Sequence, residues 1–322
     1  MELVRFIAKR ILFFLITMFL AATFTFVLIK SIPGGPFGSD KMIHPQIMEN
    51  LNEKYGLDEP LHRQYFLYMK NLLRGDLGIS MIYKNRSVGS IIKRAFPVSL
   101  SLGIRAVGLA VLVSLLLGIL PVLHKNKVLD CLVLIVTVLA VSMPGFVIGT
   151  LLQYLVSFRL SEALKNIVGI RFNIFPVTGW GGFRYTVVPS LALAAGVTGM
   201  MAKMLRAGMK DVLNQNYIIM CRAKGMTNKE VVLRHALKNA ILPLLSISGP
   251  LIASIITGSF VIENIFSIPG LGQYFVSGVQ DKDYTMVVGL SVFTVFVAVL
   301  ANTVTDIIYA VADPRVRITS KK

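Results

Sequence analysis

Six stretches of 18 or more residues that contain no Asp, Glu, Lys, Arg or His constrain this chain more than any other feature. A bilayer core about 30 Å thick needs about 20 apolar residues in a helix. Backbone amides left unpaired in lipid are costly, and the stretches lack the alternation of β-barrel strands. The sequence therefore predicts an all-α membrane protein with six transmembrane helices. The stretches are Ile11–Ile29, Ala106–Leu123, Cys131–Phe158, Tyr185–Ala202, Asn239–Ile262 and Tyr284–Thr305.

Composition supports a membrane protein and argues against several other classes. The chain is 55% hydrophobic and 15% charged, whereas a soluble domain carries about 25% charged residues. The net charge of +17 lies between the apolar stretches, which is typical of orientation-setting loops rather than of a nucleic-acid surface. The two cysteines and four histidines are scattered, so we expect no metal site, no cofactor and no disulfide framework.

Lys and Arg in the short loops predict the orientation of the chain. The N-terminal ten residues, loop 124–130, segment 203–238 and tail 306–322 hold 17 of them. The two short loops of the other side, 159–184 and 263–283, hold five. Basic loops stay in the cytoplasm, and a long loop such as 30–98 can cross the membrane regardless of its charge. We therefore expect both termini in the cytoplasm and a small external region after the first helix.

These features divide the chain into four parts. Residues 1–30 form an N-terminal segment and an uncleaved first helix, because its apolar run exceeds the 7–15 residues of a signal peptide. Residues 31–96 form the extracytoplasmic region. Residues 97–311 form a five-helix transmembrane domain that contains segment 203–238, and residues 312–322 form a cytoplasmic tail.

Two residues within the spans have more than one interpretation. Pro144 interrupts the third stretch and predicts a kink, which serves either packing or a flexible wall of a translocation path. Arg105 lies near the outer end of the second helix if that helix begins near Pro97. It either extends to the membrane interface or lines a pore.

Segment 203–238 carries a pattern more ordered than that of a linker. The apolar run Tyr217–Met220 precedes the basic run Cys221–Gly225, which suits a short surface helix closed by glycine. Thr227–Glu230 then has the form of a capping box that opens a second helix towards the fifth span. Such an element either transmits movement from a cytoplasmic partner or is a plain surface loop.

Ala223-Lys224-Gly225, with Leu242-Pro243 downstream, resembles the cytoplasmic loop motif of binding-protein-dependent ABC importer permeases, and the peptide branch is the most similar. Further segments resemble the first permease subunit of that branch along almost the whole chain. They are Ile32-Pro33-Gly34, Gly56–Leu61, Gln64-Tyr65, Gly75–Gly78, Ser142–Phe146, Phe175–Gly179, Arg234–Ala240, Pro269–Gly272 and Asp313–Arg315.

The resemblance implies a type I ABC importer permease fold and an ATPase-coupling loop. Its residues here are Cys221, Arg222, Ala223, Lys224, Gly225, Leu242 and Pro243. The general importer motif begins Glu-Ala-Ala, where this chain has Cys221-Arg222-Ala223, so no role of an acidic residue carries over. The gap to Leu242-Pro243 is also longer than in the general motif, as it is in the peptide branch.

The resemblance also implies partners: a second homologous permease, two cytoplasmic ATPase subunits, an external substrate-binding protein and membrane lipid. It further implies a location in the cytoplasmic membrane of a bacterium or an archaeon. The sequence has no GxxxxGK[ST] phosphate loop, so we expect no ATP hydrolysis by this chain and no catalytic residues. Peptides are the expected substrate, with nickel or another small solute as the alternative.

An ion-coupled transporter would carry ionisable residues at mid-membrane, and a membrane enzyme would carry a polar constellation such as HExxH. The six stretches contain neither, apart from Arg105 if the second helix starts early.

Overall fold

A computed structural model describes most of the chain. The described residues are 2–31, 56, 58–83, 85–124, 126–168, 174–257 and 260–312. Residues 32–55 of the predicted extracytoplasmic region and the predicted tail from residue 313 onwards lie outside them. The helices below account for most of the described residues, and within that part of the chain β-pairing is limited to a single antiparallel bridge between Ile79 and Ser87.

The helices follow one another in this order. The first group is α1 (Glu2–Ser31), α2 (Leu61–Leu73), α3 (Val88–His124), α4 (Lys127–Ser142), α5 (Gly145–Leu152), a π-helical segment (Gln153–Arg159), α6 (Leu160–Val168) and α7 (Arg184–Leu213). The second is α8 (Asn216–Ala223), α9 (Asn228–Glu230), a π-helical segment (Val231–Ala236), α10 (Leu237–Ala240), α11 (Leu242–Thr257), α12 (Phe260–Ile265), α13 (Leu271–Gln280) and α14 (Tyr284–Ala312).

Five helical segments of the described chain are long and apolar enough to cross a membrane. They are Ala8–Leu28, Val88–His124, Arg184–Leu213, Ile247–Ile265 and Tyr284–Ile307. A sixth span arises if the bent pair Lys127–Ser142 and Gly145–Ile167 is counted as one. Each of the six overlaps one predicted stretch, which confirms the predicted all-α membrane architecture.

The centre of the bundle is the packing of α3 against α7. Ala106 and Ala110 of α3 meet Ala194 and Val197 of α7 in one buried cluster, to which α11 contributes Ile255. Small side chains let helix backbones approach closely, which is how helices associate in lipid. By contrast, α1 packs mainly on α14 and leaves most of its apolar surface exposed, so it lies at the edge of the bundle.

Several helices extend beyond the stretches that predicted them. α3 begins at Val88 rather than near Pro97, so Arg105 lies well inside it. There the guanidinium stands 5.9 Å above the ring of Trp180. α7 continues past Ala202 to Leu213, although its last turns carry Lys and Arg. Arg105, Lys203 and Lys210 occupy exposed positions on these helices, whereas Arg206 is largely buried and paired with Asp130.

The third span is broken at Pro144 rather than gently kinked. α4 ends at Ser142, and α5 starts after Pro144 at an angle of 112° to it. Proline cannot donate the backbone hydrogen bond that would continue α4. Gln153, at the start of the π-helical segment, then donates to the carbonyl oxygens of Val177 and Ile265, at 3.0 and 3.1 Å. The loop before α7 and the end of α12 are thereby tied to the second half of the broken span.

The described part of the region between the first two spans is held against the start of α14. The fully buried Asp283 accepts hydrogen bonds from the Ser80 hydroxyl and from the Met81 and Met286 amides, the last two at 3.1 and 3.0 Å. Gly78 approaches Thr285 so closely that an added Cβ would lie 2.6 Å from its Cγ2. This segment is therefore an ordered part of the molecule rather than a loose linker.

Candidate functional site

The element between α7 and α11 is built on the end of α7, which projects beyond its apolar run. There Arg206 forms a bidentate ion pair with Asp130 of α4, with Nε–Oδ1 and Nη2–Oδ2 distances of 2.5 and 2.7 Å. Lys210 Nζ adds a third contact at 3.2 Å. Paired Arg–carboxylate bonds of this kind fix geometry as well as charge. They hold the start of α4 to the last turns of α7.

The short helix α8 is anchored by one apolar side chain. Ile218 is fully buried among Leu205 and Met209 of α7 and Val231 and Val232 of the π-helical segment that follows α9. Tyr217 and Cys221 pack at the edge of the same cluster. Buried apolar area of this kind is the main stabilising term for such a contact. α8 is therefore attached to the rest of the bundle along one face.

The opposite face of α8 combines apolar and basic exposed groups. Ile219 and Met220 are 57% and 61% exposed, and Arg222 and Lys224 are exposed beside them. Surface residues are usually polar, so adjacent exposed apolar side chains ringed by cations are typical of an interaction surface. We call Ile219, Met220, Arg222 and Lys224 the α8 face.

Gly225 ends α8 in a left-handed conformation, with φ of +79°. Its amide donates to the Arg222 carbonyl at 3.0 Å, and the Met226 amide donates to the Cys221 carbonyl at 3.3 Å. Glycine adopts positive φ without the steric penalty of other residues. The predicted glycine stop of the helix is thus present, and it turns the chain away from the α8 face.

Thr227 and Glu230 form the predicted capping box at the start of α9. The Thr227 amide donates to Glu230 Oε2 at 2.9 Å, and the Glu230 amide donates to Thr227 Oγ1 at 3.4 Å. The first of these bonds, and then the bond from the Thr227 hydroxyl, hold the pKa of Glu230 below its usual range. The box therefore keeps its ionised carboxylate at neutral pH.

From the capping box the chain runs helically to α11. Val232, Ala236 and Ala240 are buried along this stretch, and the last lies so close to α7 that a Cβ added at Gly208 would meet its carbonyl oxygen at 3.0 Å. Asn228 Nδ2 donates to the Leu123 carbonyl at the end of α3, at 3.1 Å. Residues 216–240, which we call the α8 element, thus contact the ends of both central helices, α3 and α7.

The structure brings together five of the seven predicted site residues. Cys221, Arg222, Ala223, Lys224 and Gly225 form the end of α8 and its turn. Leu242 and Pro243 instead begin α11, separated from α8 by the helical stretch 228–240, which is about 20 Å long at 1.5 Å per residue. The two groups belong to one continuous element but not to one surface.

Ile219 and Met220 were not among the predicted site residues, although the structure makes them the exposed large apolar side chains of α8. A signal for them does exist in the sequence. Ile218 and Cys221 are three residues apart, so in a helix they lie on the same face. The two residues between them, Ile219 and Met220, then lie on the other side of the helix.

Comparison with known proteins identifies the family of the chain. The chain matches the family described as binding-protein-dependent transport system inner membrane component over residues 110–318, and the N-terminal model of the same components over residues 3–103. It is 38% identical over 316 residues to the dipeptide transport system permease protein DppB of Lactococcus lactis, covering 98% of this chain and 100% of the relative. It is 38% identical over 317 residues to the oligopeptide transport system permease protein OppB of Haemophilus influenzae, with the same coverage.

A solved structure supports the fold. An inward-facing structure of the MetNI methionine ABC transporter superposes with a TM-score of 0.51, covering 69% of this chain and 96% of that one at 17% identity. A likeness at this identity concerns the fold alone, and it confirms the predicted importer-permease architecture. The chain belongs to the family of binding-protein-dependent transport system inner membrane components, multi-pass proteins of the cytoplasmic membrane.

Proposed function

We propose that the chain is the permease subunit that forms half of the translocation path of an ATP-driven peptide importer. The observation that carries this proposal is its similarity over 98% of its length to dipeptide and oligopeptide transport permeases. Similarity of that extent covers the spans, the segment between the first two spans and the α8 element together. The transported substrates are accordingly dipeptides or longer oligopeptides.

The α8 face is the handle for a cytoplasmic ATPase subunit. Its exposed apolar pair enters a groove on the ATPase, and Arg222 and Lys224 hold the rim of the contact. Exposed apolar anchors surrounded by polar groups supply most of the energy of such interfaces. Gly225 sets the angle at which the chain leaves the dock.

Movement of α8 is passed to the spans by two routes. The first is the cluster around Ile218, which joins α8 to the end of α7. The second is the helical stretch from Asn228 to Ala240, which continues into Leu242 and Pro243 at the start of α11. Closure of the ATPases therefore pulls on both α7 and α11 and opens the path outward.

ATP hydrolysis resides in partner subunits, because the sequence contains no phosphate-binding loop of the Walker type. The assembly comprises this chain, a second homologous permease, two ATPase subunits and an external binding protein that delivers the peptide. The permease pair is a heterodimer in this proposal. Both chain ends and α8 face the cytoplasm.

Uptake by the reconstituted importer tests the substrate. The chain is purified with its partners and inserted into liposomes that hold ATP, and labelled dipeptide, labelled pentapeptide and ⁶³Ni²⁺ are added with the binding protein. We expect ATP-dependent accumulation of a peptide and none of nickel. ATP-dependent nickel uptake without peptide uptake would replace the peptide proposal, and peptide uptake driven by a proton gradient without ATP would overturn the importer itself.

Substitution on the α8 face tests the dock. Met220→Asp places a charge in the apolar contact, and because Met220 is 61% exposed the fold does not depend on it. We expect the ATPase subunits to be lost from the purified complex and peptide uptake to fall at least tenfold. Leu73→Asp is the matched control, since Leu73 is 86% exposed at the end of α2, away from α8. Equal retention of the ATPase in both variants would exclude the α8 face as the dock.

A further inference from the structure

A cavity of about 730 Å³ lies between the end of α1, the helix α2 and the beginning of α14. Its apolar wall includes Phe26 of α1, Tyr68 of α2 and Val288 of α14. Its polar wall includes Lys30, Arg63 and Lys70. None of the lining residues belongs to α3, α7 or α8. The cavity is large enough for a small polar headgroup with part of an attached chain.

Two polar groups in this cavity lack partners among the residues that the structure describes. Lys30 is half-buried, with its ammonium 6.0 Å from the centre of the Phe26 ring and no carboxylate within ion-pair distance in that part of the chain. Tyr68 stacks on the same ring at 5.5 Å, and its hydroxyl is shielded from solvent without a hydrogen-bond partner. Buried donors of this kind normally have an acceptor.

The charges at the rim leave the cavity positive. Arg63 is compensated by Glu59, at 3.0 Å, and Asp76 accepts a hydrogen bond from the Gly78 amide. Lys70 has no ion pair within the described residues, so it and Lys30 are the two unpaired cations of the lining. Counted together, the lining has three cations, Lys30, Arg63 and Lys70, against the two carboxylates of Glu59 and Asp76. Burial also lowers the pKa of Lys30, so a bound anion would restore its preference for the charged form.

The position of the cavity along α1 indicates where the anion comes from. Lys30 lies two residues beyond the apolar span Ala8–Leu28, at the level of lipid headgroups. Phe24, Val27 and Leu28, in the turns just before it, are more than half exposed. A headgroup at Lys30 would therefore place its acyl chains along an apolar surface that the rest of the chain leaves uncovered.

We propose that this cavity binds the phosphate-bearing headgroup of an anionic phospholipid. Lys30 and Lys70 pair with the phosphate, the Tyr68 hydroxyl donates a hydrogen bond to it, and the acyl chains lie against the exposed face of α1. Burial raises the pKa of Tyr68, which keeps its hydroxyl protonated as a donor. The bound lipid would join α1 and α2 to α14. This site is independent of the transported substrate.

Native mass spectrometry of the purified full complex tests the proposal, with phosphatidylglycerol titrated as the probe. The test variant is Lys30→Met with Lys70→Met. The matched control is Lys93→Met with Lys165→Met, which removes two exposed lysines that do not line the cavity. We expect the test variant to bind phosphatidylglycerol at least about tenfold more weakly, because it loses two charge-assisted contacts. The control and the variant Lys30→Arg with Lys70→Arg should bind within about twofold of the unmodified protein.

Two further probes distinguish the sources of phosphate. Phosphatidylcholine with the same acyl chains should bind more weakly than phosphatidylglycerol, and millimolar inorganic phosphate should not displace the lipid. Displacement by inorganic phosphate would overturn the lipid assignment, and equal losses in the test and control variants would overturn the site. If the lysine double variant fails to assemble, Tyr68→Phe decides the matter. Weaker retention of phosphatidylglycerol supports the site, and unchanged retention overturns it.

Discussion

At the scale of single residues, Gly225 shows how a backbone conformation can matter more than available space. No atom lies within 4 Å of the place where a Cβ would stand, so a side chain would fit there. The φ of +79° is nevertheless unfavourable for a non-glycine residue, by about 1–2 kcal/mol, and more for a β-branched one. The substitution therefore acts on the turn and leaves the packing intact.

We expect Gly225→Val to open the turn after α8 and to reduce peptide uptake severalfold, with ATP hydrolysis less dependent on the binding protein. Gly225→Asn is the matched substitution, because asparagine tolerates the left-handed conformation better than other side chains do. It should keep most of the uptake. The measurement is coupled ATPase and uptake activity in liposomes, and equal activity of the valine variant and the unmodified protein would remove Gly225 from the coupling mechanism.

The pair of Asp130 and Arg206 offers a second test at this scale. The two side chains are 28% and 17% exposed and share two short bonds, so their contribution lies above that of a free surface pair. We expect Asp130→Asn to lower the free energy of unfolding by about 1–2 kcal/mol, seen as a lower Tm in detergent.

Lys210→Met is the control for this pair, because Lys210 is 52% exposed and its contact with Asp130 is longer, at 3.2 Å. It should shift the Tm less than Asp130→Asn does. The double variant Asp130→Asn with Arg206→Gln should cost no more than the single changes together. A Tm of Asp130→Asn equal to that of the unmodified protein would show that the ion pair contributes nothing measurable.

At the scale of elements, the capping box determines where the helix after Gly225 begins. Thr227→Ala removes the side-chain acceptor of the Glu230 amide, and loss of such a cap costs about 1 kcal/mol. We expect amide hydrogen exchange across residues 228–231 to become about fivefold faster. Thr150→Ala is the control, since the Thr150 hydroxyl bonds the Phe146 carbonyl within a helix and caps nothing. Unchanged exchange at 228–231 would contradict the capping role.

The same box predicts a direction for the effect of pH. The folded pKa of Glu230 is depressed, so its contribution is present above the ordinary carboxyl pKa and is lost as the pH falls through the depressed value. Exchange across residues 228–231, corrected for the intrinsic rate, should therefore be constant around neutral pH and rise only in acid. A rise on going from neutral to alkaline pH would require a different titrating group.

Sequence patterns predicted the elements better than their ends. The apolar stretches coincide with the spans because a helix in lipid needs an uninterrupted apolar surface. Because each stretch was ended at the nearest charged residue, the predicted helices were too short. Arg105 lies within α3, and Lys203 lies within α7. Each occupies an exposed position on a helix whose other side is buried. A count of charges along the sequence cannot show on which side of a helix a charged residue lies.

The candidate site was also predictable in part. Gly225 and the capping box follow from local backbone chemistry, which short motifs record. The size of the bend at Pro144 does not, because proline permits a break whereas the packing of α5 against α7 and α12 sets its angle. The burial of Ile218 beside the exposed Met220 depends on where α7 ends, which is likewise a tertiary property.

At the scale of the whole molecule, the distribution of Lys and Arg predicts that both termini and α8 lie in the cytoplasm. The native Cys221 of α8 provides a direct test, since it is a free and partly exposed thiol. A membrane-impermeant maleimide added to intact cells should leave Cys221 unlabelled, and permeabilisation should make it reactive. Leu73→Cys, with both native cysteines replaced by serine, should be labelled from outside because α2 belongs to the predicted external region. Labelling of Cys221 in intact cells would reverse the orientation, placing α8 where no cytoplasmic ATPase could reach it.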